Sequence, residues 1–479
     1  MNVAVRIWTR AQGLADRHGL SADNRRIVLA TILVGVLTIV VKVAATLREV
    51  LVAANLGTGD AAEAYIVAWV IPGFVALLIS DSVVSCLLPL YASARLRRGQ
   101  EAGDQVYAEI LLIGVILLEL ATIVLALTPR VFLPLLASEF SPEKLALAER
   151  LWLMMLPAVF MGGLAAIWSG ILNAGNKFGL AAVSPIAAPL ISILGLTLFP
   201  DYAVDALAVG FVLGFAVQLS VLGWSLRRQG IRLAPAWFGG QPETRRMFAQ
   251  FLPLTVNNVV FNGLLLVDTA MAATLGNQQV AILTYGSRLI LPILGVTSTA
   301  LGTVIFPLFS RMVAEEDWRG VQRSLSHYTR LILVSSVPLT GLLILFSSQI
   351  VRVVFQRGEF SANDTLAVSH VQATFALMIP CYALASVYSR VVVSLQKSQL
   401  MLIVSSFVFV VNLVGNIVFK AWFGIEGIAL ATVVNYTIQA SVLYVICRRV
   451  LRQHVDNEDP VLNEPGRFTF ASRSQTGIN

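Results

Sequence analysis

The chain has 479 residues, of which 57% are hydrophobic and only 13% are charged, with a formal net charge of +7. In soluble proteins about a quarter of the residues are charged, so the composition excludes an ordinary soluble domain. The apolar residues come in blocks of roughly 20, which as a helix cross a bilayer, and the blocks lack the alternation of barrel strands. The sequence therefore predicts an all-α polytopic membrane protein.

Twelve transmembrane helices are predicted, and the basic residues between them indicate the orientation. With a cytoplasmic N-terminus, 25 of the 34 lysines and arginines lie on the cytoplasmic side and 7 on the other. Because cytoplasmic loops carry an excess of Lys and Arg, both termini are predicted to be cytoplasmic. The predicted spans are 28–47, 62–89, 106–127, 151–173, 180–199, 205–226, 248–274, 280–307, 330–347, 367–389, 400–419 and 427–447.

The spans group into two six-helix lobes around a predicted central cavity. Six is an even number, so the two lobes form a parallel pseudo-repeat, an architecture that places a substrate site between them. The alternative is chance, since Pro and Gly are common in membrane helices. The repeat rests on four features that recur about 220 residues apart: Leu56-Gly57 as Leu275-Gly276, Pro72 as Pro292, PLYAS as PLFSR, and Lys177 as Lys397.

This organisation divides the chain into five segments. They are a cytoplasmic basic arm at 1–27, an N-lobe at 28–226, a cytoplasmic inter-lobe linker at 227–247, a C-lobe at 248–452 and a disordered cytoplasmic tail at 453–479.

Three basic residues lie in or beside the membrane, where an ionisable group usually faces a cavity or a partner. Lys42 and Arg48 come from span 1 and Arg288 from span 8, so the two lobes both contribute. Arginine offers paired donors that suit phosphate, and lysine adds a point charge, which together predict an anion site, plausibly for a diphosphate. Alternatively, Lys42 extends to the interface, and Arg48 and Glu49 are interfacial anchors.

Two acidic residues also lie well inside predicted spans, Asp81 in span 2 and Asp268 in span 7. The sequence has no nucleotide-binding loop and no recognisable catalytic set, so it predicts neither an enzyme nor an ATP-driven pump. Its three cysteines and four histidines lack ligand spacing, so no metal site is predicted. Transport would therefore depend on the membrane potential or an ion gradient.

Four stretches carry a family resemblance over most of residues 30–450. In their order and spacing they are similar to the MurJ/MviN flippases of the MOP exporter superfamily. The stretches are LREVLVAANLGTGDAAEAYIVAWVIP (47–72), LTYGSRLILPILGV (283–296), FPLFSRMVAEED (306–317) and FQRGEFSANDT (355–365).

The resemblance implies a function in cell wall synthesis at the bacterial inner membrane. The family moves polyprenyl-diphosphate-linked saccharides, typically the peptidoglycan precursor lipid II, from the cytoplasmic to the periplasmic leaflet. The expected partners are membrane lipid and that substrate, with no nucleic acid, and the chain is expected to be monomeric. No cofactor is expected apart from Na⁺ or H⁺ as a coupling ion.

The resemblance also implies site residues. In the substrate cavity, Lys42 replaces a family arginine, Arg48 and Arg288 retain two, Glu63 stands at a family aspartate, and Asp81 at an acidic position. The implied cation site comprises Asp268, Asn412, Asn416 and Thr432, with Asn416 where a carboxylate can occur. For the two asparagines, which share a helical face, hydrogen bonding between helices is the alternative.

Two departures from the family pattern leave the substrate open. Ala76 and Leu77 stand where the family usually has an arginine after the span 2 proline, and twelve spans are predicted where lipid II flippases usually have fourteen. A lipid-linked exopolysaccharide or capsule repeat unit is therefore an alternative substrate. The alternative functions are a cation-coupled small-molecule or multidrug antiporter of the same superfamily and a non-transporting membrane scaffold.

Overall fold

The computed structural model describes residues 22–175 and 177–458, and within them the regular structure is entirely helical. The basic arm up to residue 21 and the tail from residue 459 lie outside the described residues. Sixteen α-helices follow in chain order: α1 Ala22–Leu56, α2 Asp60–Arg98, α3 Gln100–Leu127, α4 Pro129–Leu136, α5 Pro142–Ala174, α6 Phe178–Val183, α7 Ala187–Leu198, α8 Ala203–Arg228, α9 Pro242–Ala273, α10 Gln279–Arg288, α11 Leu291–Ala314, α12 Trp318–Leu345, α13 Ser347–Phe355, α14 Ala362–Ala376, α15 Met378–Ser394 and α16 Ser398–Glu458.

The predicted all-α polytopic fold is confirmed. Each of the twelve predicted spans falls within helical segments to within two residues. In the described part of the chain, nine continuous helical stretches are long and apolar enough to cross a membrane. One of them, α16, holds two predicted spans and breaks at Gly424, whose φ of 56° and ψ of −130° are not helical. Glycine tolerates this conformation because it has no Cβ.

The repeat is visible in where the helices begin. The first residues of α1, α2, α3, α4, α5 and α6 recur at α9, α10, α12, α13, α14 and α16, with offsets of 218 to 220 residues. Even a cap is repeated: the Ser141 side chain accepts from the backbone N–H of Lys144, and the Ser361 side chain accepts from that of Asp364. The two halves, α1–α8 and α9–α16, are thus copies of one six-span unit.

Apart from the start of α9, the apolar packing joins the halves at one end only. One buried cluster combines residues of the first half, from Val50 to Phe211, with residues of the second, from Ala272 to Val433. At the opposite end there are two separate clusters, one around α2, α3 and α5 and the other around α12, α15 and α16. We call these the closed end and the open end. The halves therefore diverge from the closed end toward the open end.

Helix α9 belongs to both halves. Near its start, Met247 is buried in the open-end cluster of the first half, and Phe251 and Leu254 pack against that cluster. At its other end, Ala272 and Ala273 are buried in the cluster at the closed end. The first half of the chain therefore holds the beginning of the helix that opens the second half.

A buried carboxylate fastens the linker before α9. Glu109 on α3 is fully buried and accepts backbone N–H bonds from Phe238 at 2.9 Å, Gly240 at 2.9 Å and Gln241 at 2.8 Å. The hydroxyl of Thr244 donates to the same carboxylate at 2.6 Å. A carboxylate at a helix N-terminus is favourable because the first N–H groups of the helix lack partners within it. We call this arrangement the Glu109 cage.

Candidate functional site

The central feature of the closed end is a carboxylate shared by two arginines. Glu49 and Arg48 are neighbours on α1, and an Arg48 Nη2–H donates to Glu49 Oε1. The other carboxylate oxygen, Oε2, lies 3.7 Å from the Nε of Arg288 at the end of α10. Arg48 also stacks over the ring of Phe211, with its guanidinium carbon 5.9 Å from the centroid. The structure thus brings together the predicted Arg48 and Arg288, one from each half.

The cluster keeps unused positive charge. The side chain of Arg288 is 43% exposed, compared with 14% for Arg48. The buried Nε of Arg48 has no hydrogen-bond partner among the described residues. Two guanidinium groups and one carboxylate leave a net charge of about +1, with donors available in the fork geometry that binds phosphate bidentately. The arrangement can therefore hold an anion that approaches from the open end.

Lys42 and Asp81 lie away from this cluster. Lys42 is exposed on α1, seven residues before Glu49, which places it on the same helical face about 10 Å nearer the open end. Asp81 is partly buried on α2, 18 residues beyond Glu63, or about 27 Å along the helix. Neither side chain has a hydrogen-bond or ion-pair partner within the described ranges.

Glu63 is a contact between the halves. Its fully buried carboxylate accepts the backbone N–H groups that begin α10, from Gln278 at 2.9 Å and Val280 at 2.7 Å. The ammonium group of Lys144 on α5 pairs with the same carboxylate and lies 2.9 Å from Asp60. Glu63 therefore binds the positive N-terminal end of a helix from the other half.

Lys144 is a functional residue that the sequence analysis missed. Its side chain is 2% exposed, and its partner Glu63 lies 81 residues away in the chain. In the sequence it follows a proline and a glutamate in a predicted loop, where a solvated lysine is the ordinary expectation. A basic residue seven positions before an apolar span was the only available signal.

The closed end is also sealed by main-chain contacts. The N–H of Glu359 donates to the carbonyl of Ala54 at 2.9 Å, and the hydroxyl of Tyr285 donates to the carbonyl of Gly57 at 3.1 Å. Gly57 and Gly358 have φ angles of +56° and +58°. A Cβ on Gly57 would lie 2.7 Å from the carbonyl oxygen of Glu359, and one on Gly358 would overlap the carbonyl of Ala54.

A further polar contact completes this region. The hydroxyl of Thr58 donates to a carboxylate oxygen of Asp364 at 2.5 Å, linking the turn after α1 to the first turn of α14. We call the contacts of residues 54–63 with residues 278–288 and 358–364, together with the pairing of Glu49 with Arg288, the gate. Every contact of the gate joins the first half to the second.

The four residues of the predicted cation site lie together in the second half. The amide N–H₂ of Asn416 donates to Asp268 Oδ1 at 2.7 Å and to Asn412 Oδ1 at 3.1 Å. The hydroxyl of Thr432 donates to Asp268 Oδ2 at 3.2 Å. Asp268 is 9% exposed, Asn412 1% and Asn416 0%. A buried carboxylate surrounded by amide and hydroxyl oxygens can hold a small cation, and the Asn416 nitrogen here lies among those oxygens.

A site for a clustered transition metal is absent from the residues that the structure describes, where no three His, Cys, Asp or Glu side chains converge. The polar chemistry is instead divided by sign. The arginine cluster between the halves suits an anion, and the Asp268 cluster inside the second half suits a cation.

Comparison with known proteins covers most of the chain. The profile of the family described as lipid II flippase MurJ matches residues 52–461. The chain is 26% identical over 436 residues to the probable lipid II flippase MurJ of Rhizobium meliloti (strain 1021). The alignment covers 89% of this chain and 81% of that protein.

Two solved structures share the fold. A lipid II flippase MurJ in an inward closed conformation superposes with a TM-score of 0.75 at 22% identity, covering 89% of this chain and 90% of that one. An inward-facing multidrug resistance MATE family transporter of the MOP superfamily gives a TM-score of 0.72 at 14% identity, covering 88% and 99%. At these identities the likeness concerns the fold alone.

Proposed function

Because the chain belongs to the lipid II flippase MurJ family, we propose that it moves lipid II from the cytoplasmic to the periplasmic leaflet of a bacterial inner membrane. Members of this family are transporters, so the chain is a multi-pass transport protein and not an enzyme. With both termini cytoplasmic, the open end faces the cytoplasm and the gate faces the periplasm. The conformation described above is then the loading state.

The observation that carries the proposal is the sharing of Glu49 by Arg48 and Arg288. In the loading state the diphosphate of the lipid enters from the open end and competes with Glu49 for the two guanidinium groups. A diphosphate carries more negative charge than one carboxylate and can accept from both forks. When it takes over the arginines, the carboxylate no longer holds Arg288, and one contact across the gate is lost.

Transport then requires the gate to break while the open end closes. Rocking of two repeats about a site between them achieves this without unfolding either repeat. The inside-negative potential favours outward movement of an anion by about 2.3 kcal/mol per charge per 100 mV. A diphosphate with about two charges would gain roughly 5 kcal/mol, which is enough to set a direction without ATP.

Ion coupling belongs to the same proposal. The Asp268 cluster supplies one carboxylate, so a monovalent cation balances it. In the described conformation the Asn416 nitrogen stands where a cation would sit, between Asp268 and Asn412. A turn of the Asn416 amide would exchange its nitrogen for its oxygen, which has no hydrogen-bond partner among the described residues. All the groups facing the centre would then be acceptors.

The deciding experiment is the rescue of a strain depleted of its lipid II flippase. Wild type, Arg48→Ala and Arg288→Ala are compared at matched expression with Arg311→Ala, whose side chain is 77% exposed and pairs with Glu315, four residues further along the chain. We expect rescue by wild type and Arg311→Ala, and failure of the other two. Rescue by all four would exclude a role for the arginine pair.

Two other outcomes would redirect the proposal. Failure of wild type, despite membrane insertion, would exclude lipid II and favour a lipid-linked exopolysaccharide or capsule repeat unit, testable in a strain lacking that flippase. The alternative of a multidrug antiporter is disfavoured because cationic drugs would be repelled by the arginine pair. Efflux of a cationic dye that depends on Asp268, without lipid II rescue, would reverse that judgement.

A further inference from the structure

We propose that Asn412 and Asn435 form a second polar subsite in the second half, which takes a small monovalent cation with its water on the way to or from Asp268. We call it the Asn435 subsite. The inference rests on the cation coupling proposed above, and it adds a place for the ion that lies one step nearer the open end.

The first observation is an asparagine with no partner. Asn435 is 0% exposed, and neither its amide nitrogen nor its amide oxygen has a hydrogen-bond partner among the described residues. The amide nitrogen of Asn412, which is 1% exposed, is unpartnered in the same sense. Nearly all buried polar groups in proteins are hydrogen-bonded to protein or to ordered water. A complete buried amide without a protein partner therefore indicates a position for water or an ion.

The second observation is that these groups lie at one depth. The two arms of α16, on either side of Gly424, run in opposite directions and pack together, since a Cβ on Gly415 would lie 3.3 Å from that of Ala431. Asn412 lies one helical turn before Asn416 on the first arm, and Asn435 lies nearly one turn after Thr432 on the second arm. Both steps lead toward the open end, by about 5 Å along each arm.

The direction of the side chains agrees with this depth. Asn435 is three residues after Thr432, which rotates it by about 60° on a helix with 3.6 residues per turn. Thr432 contacts Asp268 on α9, and Ala431 faces the other arm of α16, so Asn435 points into the wedge between α9 and that arm. Asn412 and Asn416 occupy the same wedge, since Asn416 bonds to both Asp268 and Asn412.

The chemistry of the wedge fits a hydrated monovalent cation. Amide oxygens of Asn412 and Asn435 are neutral ligands, and Asp268 alone supplies negative charge within this cluster. The two amides do not bond to each other in the described structure, so both keep hydrogen-bonding groups for a third species. Beyond the subsite, Val408 and Leu443 are buried in the apolar cluster of the open end. The subsite is therefore an inner extension of the Asp268 cluster.

Silver ion reactivity tests the subsite directly, because Ag⁺ is a small monovalent cation that reacts with thiols. The three native cysteines, Cys86, Cys381 and Cys447, are replaced by alanine, and Asn435→Cys is compared with Val433→Cys. Like Asn435, Val433 is buried, with 8% of its surface exposed, but its side chain points about 160° away on the same arm. Folded protein is treated with Ag⁺, denatured, and titrated with a maleimide for thiols that remain.

The expected result is selective reaction at the subsite. A thiol in a water-free interior reacts only when the protein opens locally, whereas a thiol at the subsite is accessible to Ag⁺. We therefore expect Asn435→Cys to react at least about tenfold faster than Val433→Cys. Na⁺ should slow the reaction, and Asp268→Asn should remove that protection. Equal rates at the two positions would overturn the subsite. Fast reaction at position 435 that Na⁺ leaves unchanged would uphold the subsite and refute coupling at Asp268.

A second variant tests the subsite independently, in case the cysteine variants misfold. Asn435→Leu keeps the branched heavy-atom skeleton of the side chain and removes the amide. Its Tm is measured in purified protein with and without Na⁺. We expect a Tm at least equal to wild type without Na⁺, and a Na⁺-induced rise reduced by about half or more, because ligand binding to the native state raises Tm. A lower Tm without Na⁺ would mean that the amide is bonded to protein, which would overturn the proposal.

Discussion

The Nε of Arg288 lies 3.7 Å from the Oε2 of Glu49, so an arginine of the second half is held by a carboxylate of the first. The same carboxylate also accepts from Arg48. In the proposed mechanism, substrate binding and gate closure therefore use the same two guanidinium groups. This competition gives a physical route by which an anion in the cavity weakens the gate.

Replacing Glu49 by glutamine should loosen the gate. A half-exposed ion pair contributes up to about 1 kcal/mol, so its loss should raise the gate-open population about fivefold. The measurement is the labelling rate of Ala45→Cys, one turn from position 49, by a membrane-impermeant thiol reagent added to whole cells. The same cysteine with Glu49 intact is the control, and an unchanged rate would show that the pair does not hold the gate.

Adding a methyl group to Gly358 should prevent gate closure. The new Cβ would overlap the carbonyl of Ala54, which is main chain and cannot move aside. Gly230→Ala is the matched control, since Gly230 has a φ of +72° but no atom within 4 Å of its Cβ position. Both variants carry about 1–2 kcal/mol of backbone strain, so only the overlap differs.

Rescue of the depleted strain and labelling at position 45 are the readouts for this pair. We expect Gly358→Ala to fail in rescue and to label rapidly, while Gly230→Ala behaves as wild type. Rescue by Gly358→Ala would mean that transport does not need main-chain contact between Gly358 and Ala54.

Lys144→Met should destabilise the protein more than the same change combined with Glu63→Gln. The single variant leaves a fully buried carboxylate without its cation, which costs about 3 kcal/mol, at the low end because backbone N–H donors remain. The double variant removes the charge that needed neutralising. Thermal unfolding of purified protein compares the two, with Lys177→Met as an exposed control. Equal Tm losses in single and double variants would contradict the pairing.

Glu109→Ala should release the linker from the first half. Three backbone N–H groups and one hydroxyl would lose their acceptor, and we expect a loss of at least about 3 kcal/mol in stability. Limited proteolysis should then cut the variant within 229–241, and we expect the wild type to resist cleavage there. Glu101→Ala removes an exposed carboxylate from the first turn of the same helix and should cost less than about 1 kcal/mol. Similar proteolysis of both variants would argue against the Glu109 cage.

Asn416→Asp should strengthen cation binding at Asp268. A second carboxylate replaces a nitrogen donor that now stands among the oxygens, and even at a high effective dielectric this should tighten Na⁺ binding by about tenfold. Without Na⁺ the two carboxylates repel, so the Tm should fall below that of wild type. Titration of Tm against Na⁺ concentration measures both effects, and a Na⁺ response equal to wild type would remove position 416 from the site.

Much of the fold could be predicted because each span is a local property. A block of about 20 apolar residues specifies a membrane helix wherever it stands. The repeat was visible because glycines after helices and prolines within helices recur at corresponding positions of both halves. That Arg48 and Arg288 approach each other was predicted because spans 1 and 8 belong to different lobes that face one cavity.

The remaining contacts depend on residues that are distant in the chain. Lys144 meets Glu63 across 81 residues, and Glu109 binds amides 129 to 132 residues later. Backbone donors carry no sequence signature, so a carboxylate that binds them looks like any other glutamate. The proximity of Asn435 to Asn412 likewise depends on the antiparallel packing of the two arms of α16. No local sequence pattern predicts that packing.

The regular offset between the halves also relates two carboxylates. Glu49 lies 219 residues before Asp268, within the 218 to 220 residues that separate corresponding helix starts. The carboxylate beside the arginines and the carboxylate of the Asp268 cluster therefore occupy corresponding positions of the two repeat units. In the first unit this position faces guanidinium groups fixed in the protein, and in the second it is surrounded by neutral amide and hydroxyl groups, so one position of the unit has opposite electrostatic surroundings in the two halves.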